Sequence, residues 1–287
     1  MALSSCGADP GEPPRADAGR DGGGVDGEAP VSCAAERYYV GRMAGQVLDL
    51  AGNPVRDALV TACGTACITG TSGADGRFDF VVDHCFGVDP TFPRGPIFWL
   101  HGLGLRPDLL FAYNTEDRHH LATVTLPAPL YAPGLEGAAS VSAPARGTAV
   151  TELADGHGFT LRVPPGLIGY PPTADDREAL SVVPIPANRW PPFVDPGAPP
   201  VALYALSPSE TTFATAAALA FPTVAGLAPG AEVEVLALGN AASEGQPPAG
   251  VFARVDTGVV SADGTRVVAR TGLRWLSWVG YRGVGGR

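Results

Sequence analysis

The chain has 287 residues, which is enough for two domains with separate hydrophobic cores. Hydrophobic residues make up 45% of the sequence and charged residues 17%, which excludes wholesale disorder, while 38 Gly and 29 Pro are too many for a helix-rich fold. The formal net charge of -10 argues against binding nucleic acid through its phosphates, because that mode needs a basic surface. No segment approaches the roughly 18 apolar residues that a membrane-spanning helix requires.

Residues 1–36 form an acidic segment rich in Gly and Pro. They carry seven Asp and Glu residues against two Arg, so they hold about half of the net charge. Bulky apolar side chains are scarce, and such a segment cannot bury enough surface to offset its ordering entropy. We predict that 1–36 is a disordered tether.

Near the start of this segment, Leu3-Ser4-Ser5-Cys6 resembles the lipobox of bacterial lipoproteins. The resemblance implies an acylated Cys6 and a protein anchored in the outer membrane or displayed outside the cell, with membrane contact only through that lipid. A lipoprotein signal also needs a basic segment and an apolar segment of about 7 to 15 residues before the Cys, so this hypothesis requires a start further upstream. The alternative is a disordered N-terminus with a chance cysteine.

Four further cysteines lie at Cys33, Cys63, Cys67 and Cys85, and their even number suggests two disulfides and an oxidising compartment. Residues 58–63 and 67–71 read as two strands of a hairpin, which would place Cys63 opposite Cys67 and leave Cys33 to join Cys85. Four cysteines allow three pairings. The competing interpretation is a zinc site from Cys63, Cys67, His84 and Cys85, although the Cys63–Cys67 spacing is unusual for zinc.

Alternating apolar residues predict β-strands along most of the chain. The alanine content of 213–221 favours helix, but Phe213, Leu219 and Phe221 fall on one face at period two, so we predict a strand that ends at Pro222. The same alternation occurs at 159–163 and 232–235. Asp-Gly pairs at 75–76, 155–156 and 263–264 suit tight hairpins. The predicted fold class is therefore all-β, with two consecutive β-sandwich domains behind a disordered N-terminal tail.

The first predicted domain covers 37–127. Gly45-Gln46-Val47-Leu48-Asp49, then Gly52-Asn53-Pro54-Val55, then Asp75-Gly76-Arg77-Phe78 resemble the carboxypeptidase-regulatory-like domain. That family has a transthyretin-like sandwich of about seven strands and serves as an accessory domain on peptidases, receptors and surface proteins. The resemblance implies no catalytic residues.

The second predicted domain covers 137–287, after a Pro-rich stretch at 128–136 that reads as a semi-rigid linker. Its motifs resemble the ZU-type sandwich of netrin receptors, ankyrins and many bacterial surface proteins, and they lie at 159–166, 204–213, 228–230 and 276–277. Some members cleave themselves at a His-Phe-Ser triplet. Here the matching triplet is Trp275-Leu276-Ser277, without the His, so the resemblance implies the fold and not self-cleavage.

Other candidate sites are sparse. Trp190 and Phe193, among Pro191, Pro192 and Pro196, form a candidate binding surface for sugar or protein, and the alternative is that they pack against the Pro-rich loop. Two acid-containing groups have metal-ligand side-chain types, but a solvated turn and a half-exposed strand explain them more simply, so we predict no metal site. These groups are Glu116, Asp117, His119 and His120, and Asp75, Asp79 and Asp83.

Together these features predict a non-enzymatic structural or adhesive module of the bacterial cell envelope, secreted or lipid-tethered, with no cofactor. Its partner would be an envelope protein or glycan. One alternative is an accessory lipoprotein of a secretion or polymer-processing assembly, and another is an unrecognised hydrolase. Fold alone does not decide between them.

Overall fold

The computed structural model describes Cys33 and residues 37–63, 66–87, 97–102, 105–112, 120–126, 128–134, 137–170, 178–224, 226–239 and 246–284. Within these residues the protein is nearly all β, and the one helical segment is a 3-10 turn at Ala187–Arg189. The predicted all-β fold class is confirmed. The expectations for 1–32, including the tether and the lipidated Cys6, lie outside the described residues.

The N-terminal lobe consists of two sheets that face each other. In one, β1 lies between β4 and a broken edge formed by β7 and then β8, both parallel to β1. In the other, the strand order is β3-β2-β5-β6. The strands are β1 (Arg37–Asp49), β2 (Ala58–Cys63), β3 (Cys67–Thr71), β4 (Arg77–Gly87), β5 (Ile97–Gly102), β6 (Leu105–Ala112), β7 (His120–Thr125) and β8 (Leu130–Ala132).

The C-terminal lobe is a single connected sheet that folds over itself into a sandwich close to a barrel. Its strand order is β10-β13-β16-β19-β18-β17-β21-β15-β14-β9. Strand β12 pairs with β16 on one side and with β11 on the other. The strands are β9 (Ala139–Ser142), β10 (Arg146–Gly147), β11 (Thr151–Ala154), β12 (Thr160–Val163), β13 (Gly166–Gly169), β14 (Ala179–Pro184), β15 (Ala202–Ser207), β16 (Thr212–Pro222), β17 (Glu232–Leu238), β18 (Phe252–Val260), β19 (Arg266–Ala269), β20 (Leu273–Trp275) and β21 (Trp278–Gly283).

The predicted strand at 213–221 corresponds to β16, which buries Phe213, Leu219 and Phe221. The alternation of side chains determines the secondary structure of this segment, because burial of these three large apolar residues outweighs the helix propensity of its alanines. In β17, Val233 and Val235 are buried while Glu234 points to the surface and pairs with Arg282 at 2.7 Å.

Two of the three Asp-Gly pairs form the predicted hairpins, joining β11 to β12 and β18 to β19. The third does not, because Asp75-Gly76 carries the chain from β3 in one sheet to β4 in the other. Gly76 has φ of +73°, and a Cβ there would lie 2.3 Å from the Val47 carbonyl oxygen. Glycine is therefore required by the close approach of β1.

The central strands of the C-terminal lobe are buried on both faces. On β15, Tyr204 and Leu206 point into the core of their own lobe, while Leu203 and Ala205 point into the core shared with the N-terminal lobe. Trp278 on β21 also joins that shared core, which includes Val40, Met43 and Phe86 of the N-terminal lobe. We call this shared cluster the seam.

Residues Ser32–Arg287 therefore form one compact unit, and the predicted division into two domains is not confirmed. The predicted linker at 128–136 also differs from the structure. It contains β8, whose Leu130 and Ala132 are buried in the seam and whose backbone pairs with Val47–Asp49 of β1. Prolines at 129 and 133 flank this short strand, which suits an edge position.

The structure contains two disulfides, Cys33–Cys85 and Cys63–Cys67, which is the pairing that the hairpin argument favours. Cys63 and Cys67 lie directly opposite each other on β2 and β3, with Cα atoms 4.2 Å apart. Cys85 lies on β4 beside Tyr39 of β1, so the Cys33–Cys85 disulfide fastens the chain just before β1 to the sheet.

We predict that the two disulfides contribute unequally to stability. Their sequence separations are 52 and 4 residues, so chain entropy assigns about 4 kcal/mol to Cys33–Cys85 and about 2 kcal/mol to Cys63–Cys67. Replacing both cysteines of one pair by Ala should lower the free energy of unfolding in urea accordingly. The Cys63/Cys67 double variant is the matched control, and an equal or reversed order would contradict the prediction.

Candidate functional site

A concave region with a volume of about 490 Å³ lies between the two lobes. Its N-terminal wall is the turn after β1, at Asp49, Leu50 and Ala51. The opposite wall comes from β9, from the end of β14 at 182–184, and from the β11–β12 hairpin. Small-molecule sites commonly have this size and lie where domains meet. We refer to this region as the inter-lobe cleft.

The β11–β12 hairpin places Asp155 and His157 in the cleft wall. The Oδ1 atom of Asp155 accepts hydrogen bonds from the backbone N–H groups of His157 at 2.7 Å and Phe159 at 3.0 Å. These bonds form an Asx-type turn, which is why Asp precedes Gly here. The other oxygen, Oδ2, is buried and has no hydrogen-bond donor among the described residues.

The Asp155 carboxylate also acts on its surroundings electrostatically. Burial, followed by the nearby charge of Asp155 and the phenol of Tyr281, raises the pKa of Tyr204 well above its ordinary value. Tyr204 stacks on Phe159, which directly follows the hairpin, with ring centroids 4.7 Å apart. The hairpin that contains Asp155 therefore packs against the apolar core of the C-terminal lobe on one side and lines the cleft on another side.

The turn after β1 supplies the second carboxylate. Asp49 accepts hydrogen bonds from the backbone N–H of Asn53 at 2.8 Å and from the Asn53 side-chain amide at 2.9 Å. Partial burial opposes ionisation of Asp49, but these bonds and others from the turn lower its pKa below the ordinary value. Asp49 is therefore held as an anion in a fixed orientation.

A contact next to the cleft joins the lobes. Arg189, at the end of the 3-10 turn, donates a hydrogen bond to the Tyr131 hydroxyl, and its guanidinium carbon lies 4.4 Å from the centre of the Tyr131 ring. The same guanidinium lies close to Gly52 in the turn that follows Asp49. This hydrogen-bonded cation–π contact, together with the seam, fixes the two walls of the cleft.

The sequence patterns do not predict the cleft. Asp155 lies in a predicted turn, which the structure confirms, and Asp49 lies in a segment that was singled out only for its resemblance to a family motif. Their meeting depends on how the lobes pack, which neither local pattern encodes. Within the described residues, no group of three His, Cys, Asp or Glu side chains is arranged to hold a metal ion.

The candidate binding residues Trp190 and Phe193 pack against the seam. Phe193 contacts Trp278 edge-to-face with centroids 5.4 Å apart and lies 5.5 Å from Phe252. The Trp190 indole N–H donates to the Ile185 carbonyl at 3.2 Å. Both side chains are half-buried, which agrees with the alternative reading that they pack within the Pro-rich loop.

The alternative metal sites find no support in the described residues. The disulfides take up three of the four proposed zinc ligands, Cys63, Cys67 and Cys85. Asp79 pairs with Arg42, and Asp83 accepts a hydrogen bond from the Tyr39 hydroxyl, so these acids have separate protein partners. Residues 116, 117 and 119 lie outside the described residues, as does the side chain of His120.

Ser277 lies between β20 and β21, beside the last strand of the described residues, and is 1% exposed. Leu276 and Ser277 are held by backbone hydrogen bonds from neighbouring segments: their carbonyls accept from Glu210 and Leu206, and the Leu276 N–H donates to Thr211. The peptide bond between them is therefore fixed in a well-packed junction.

No protein-family model and no curated protein sequence matches this chain. The two family resemblances therefore stay predictions. None of the helices in the described part of the chain has the length and apolar character needed to span a membrane.

We predict that Phe193 contributes to stability. Phe193→Ala should lower the free energy of unfolding by about 2 kcal/mol, somewhat less than for a fully buried ring, because it removes contacts with Trp278 and Phe252. The control is Val150→Ala, whose side chain is 52% exposed and whose loss should cost less than about 0.5 kcal/mol. An unchanged stability in the Phe193 variant would instead favour an unconstrained binding surface.

We also predict that the purified chain stays intact for days at neutral pH. The imidazole of the self-cleaving triplet is missing at Trp275-Leu276-Ser277, and the Ser277 side chain is buried. Intact-mass measurement over time tests this. A C-terminal fragment that begins at Ser277 would show that self-cleavage does not need the His.

Proposed function

We propose that this protein is an exported, non-enzymatic binding module of a bacterial cell envelope, tethered through a lipid on Cys6. The observation that carries the proposal is the pair of disulfides in the N-terminal lobe. Disulfides form and persist in oxidising compartments and are rare in the reducing cytosol.

The position of the Cys33–Cys85 disulfide also supports a tethered module. Cys33 follows the acidic segment that we predict to be a flexible tether, and it is bonded to Cys85, which pairs with Tyr39 near one end of the β4–β1 pairing. Tension on the tether would reach the sheet through this covalent bond before it reached the hydrogen bonds of β1. The lobe is thus suited to remain folded while it is held at a surface.

The packing of the lobes supports a binding role. The seam and the Arg189–Tyr131 contact hold both walls of the inter-lobe cleft in one orientation. A preformed concave site loses less entropy on binding than a mobile one. We propose that this cleft, rather than the packed Trp190 and Phe193, is the surface that meets the partner.

Expression in a bacterium with the natural upstream DNA tests the proposal. We expect the protein in the envelope fraction, with both disulfides present in non-reducing peptide maps and with label from a fatty-acid analogue. The matched control is Cys6→Ser, which should lose the label and leave the membrane while keeping the disulfides.

The two parts of the proposal can fail separately. A cytoplasmic protein with four free thiols at Cys33, Cys63, Cys67 and Cys85 would contradict export. An envelope protein that carries both disulfides but no label would contradict only the lipid on Cys6.

A further inference from the structure

We propose that the Cys63–Cys67 disulfide is a site of thiol–disulfide exchange, which a partner dithiol opens and re-forms while the Cys33–Cys85 disulfide stays closed. The inference goes beyond the proposed binding role and does not depend on the inter-lobe cleft or on a lipid anchor. It rests on three features of the β2–β3 hairpin: the unequal exposure of the two cysteines, an uncharged position at a sheet edge, and a backbone that is paired independently of the disulfide.

The two cysteines of this disulfide differ in their access to solvent. Cys67 on β3 is exposed, whereas Cys63 on β2 is only 3% exposed. Exchange begins when a thiolate attacks one sulfur of a disulfide, so its rate depends on which sulfur can be reached. Cys67 is therefore the residue attacked, and Cys63 is the leaving group.

The surroundings of Cys67 suit the approach of another protein. Among the described strands, β3 lies at the edge of its sheet and pairs with β2 on one side. The backbone of an edge strand can pair with an extended segment of a partner. Residues 58–74 contain no charged side chain, so this hairpin repels neither an acidic nor a basic partner surface.

The hairpin is held together by more than the disulfide. Strands β2 and β3 pair over five consecutive positions, the last of which places Cys63 opposite Cys67. Next to the cysteines on the same face, the hydroxyls of Thr61 and Thr69 are hydrogen-bonded at 3.1 Å. Strand β2 also pairs with β5 and buries alternate side chains in the seam. When the disulfide opens, the two cysteines therefore stay opposite each other and can be joined again.

The exchange consists of two steps in which atoms and electrons balance. A thiolate of the partner attacks the Cys67 sulfur, forms a mixed disulfide and displaces the Cys63 thiolate, which takes up a proton. The second thiol of the partner then loses its proton and attacks the partner's own sulfur in the mixed disulfide. This step forms the partner's disulfide and releases the Cys67 thiolate, which is protonated in turn. The chain gains two electrons and two protons, the dithiol loses them, and the reverse sequence re-forms the Cys63–Cys67 bond.

The Cys33–Cys85 disulfide has a different environment and serves as the internal comparison. Both of its cysteines are half-buried and neither is exposed. It joins positions 52 residues apart and holds the chain before β1 against β4. Opening this bond releases a backbone segment, so the two sulfurs are not kept together as they are in the hairpin.

Limited reduction of the full-length oxidised protein tests the inference. The protein is treated with dithiothreitol at neutral pH, samples are quenched with N-ethylmaleimide, and the labelled cysteines are identified by peptide mass mapping. We expect Cys63 and Cys67 to be labelled about tenfold or more faster than Cys33 and Cys85, because exchange depends on access. Equal labelling of the two pairs, or earlier labelling of Cys33 and Cys85, would overturn the inference.

Two matched variants identify the attacked residue. Cys63→Ser leaves Cys67 as a free thiol, Cys67→Ser leaves Cys63, and both variants keep the Cys33–Cys85 bond. With a dipyridyl disulfide as the probe, the Cys67 thiol should react about tenfold or more faster than the Cys63 thiol. Equal rates, or a faster Cys63, would overturn the assignment of Cys67. The reduction of the natural chain keeps the inference testable if either variant folds poorly.

The source of the dithiol is separated by comparing dithiothreitol with reduced thioredoxin at the same thiol concentration. Opening that is about tenfold or more faster with thioredoxin would assign the site to a protein partner, and equal or slower opening would assign it to small thiols. After the reductant is removed, oxidised glutathione should re-form the Cys63–Cys67 bond. A bond that does not re-form would overturn the inference. Slow exchange in a protein that is found disulfide-bonded in the envelope overturns this inference alone and leaves the proposed function standing.

Discussion

The structure depends on a sheet that is buried on both faces. Strands β14, β15, β17 and β21 send alternate side chains into the core of the C-terminal lobe and into the seam. Trp278 is 1% exposed and faces the seam, whereas its neighbour Val279 is fully buried on the other side. Neither face could be uncovered without exposing large apolar side chains to water, which is why the lobes form one unit.

This shared burial gives the rest of the architecture its constraints. Strand β8 has to lie beside β1, because Leu130 and Ala132 complete the seam. The Pro-rich loop after β14 has to fold back, because Phe193 and Val194 cover Trp278 and its neighbours. Arg189 then comes into position to contact Tyr131. The two walls of the cleft follow from these placements.

The sequence predicts the local part of this arrangement well. Period-two alternation predicts β16 and β17, and the three-residue spacing between the strand ends of β2 and β3 predicts that Cys63 faces Cys67. These features depend on neighbours in the chain. The seam depends on segments far apart, and local periodicity describes only one face at a time.

The sequence nevertheless contains a signal for the seam. The runs at 179–183, 202–206 and 235–238 are almost continuously apolar rather than alternating, which is typical of strands buried on both faces. A continuous run predicts that something covers the second face but does not identify it. The prediction of two domains came from the chain length, the Pro-rich stretch at 128–136 and two family resemblances, and none of these indicates what covers the second face of the strands.

The same long-range packing explains why a site could escape detection by motif. Asp49 and Asp155 are each explained by the turn that they stabilise, through Asn53 in one case and through His157 and Phe159 in the other. A turn uses the hydrogen-bonding capacity of a carboxylate but leaves its negative charge in place. When packing brings two such turns to opposite walls of one cleft, two structural carboxylates become a shared electrostatic feature. The seam and the Arg189–Tyr131 contact hold both turns in place, so the shape of the cleft is set by the same packing that joins the two lobes.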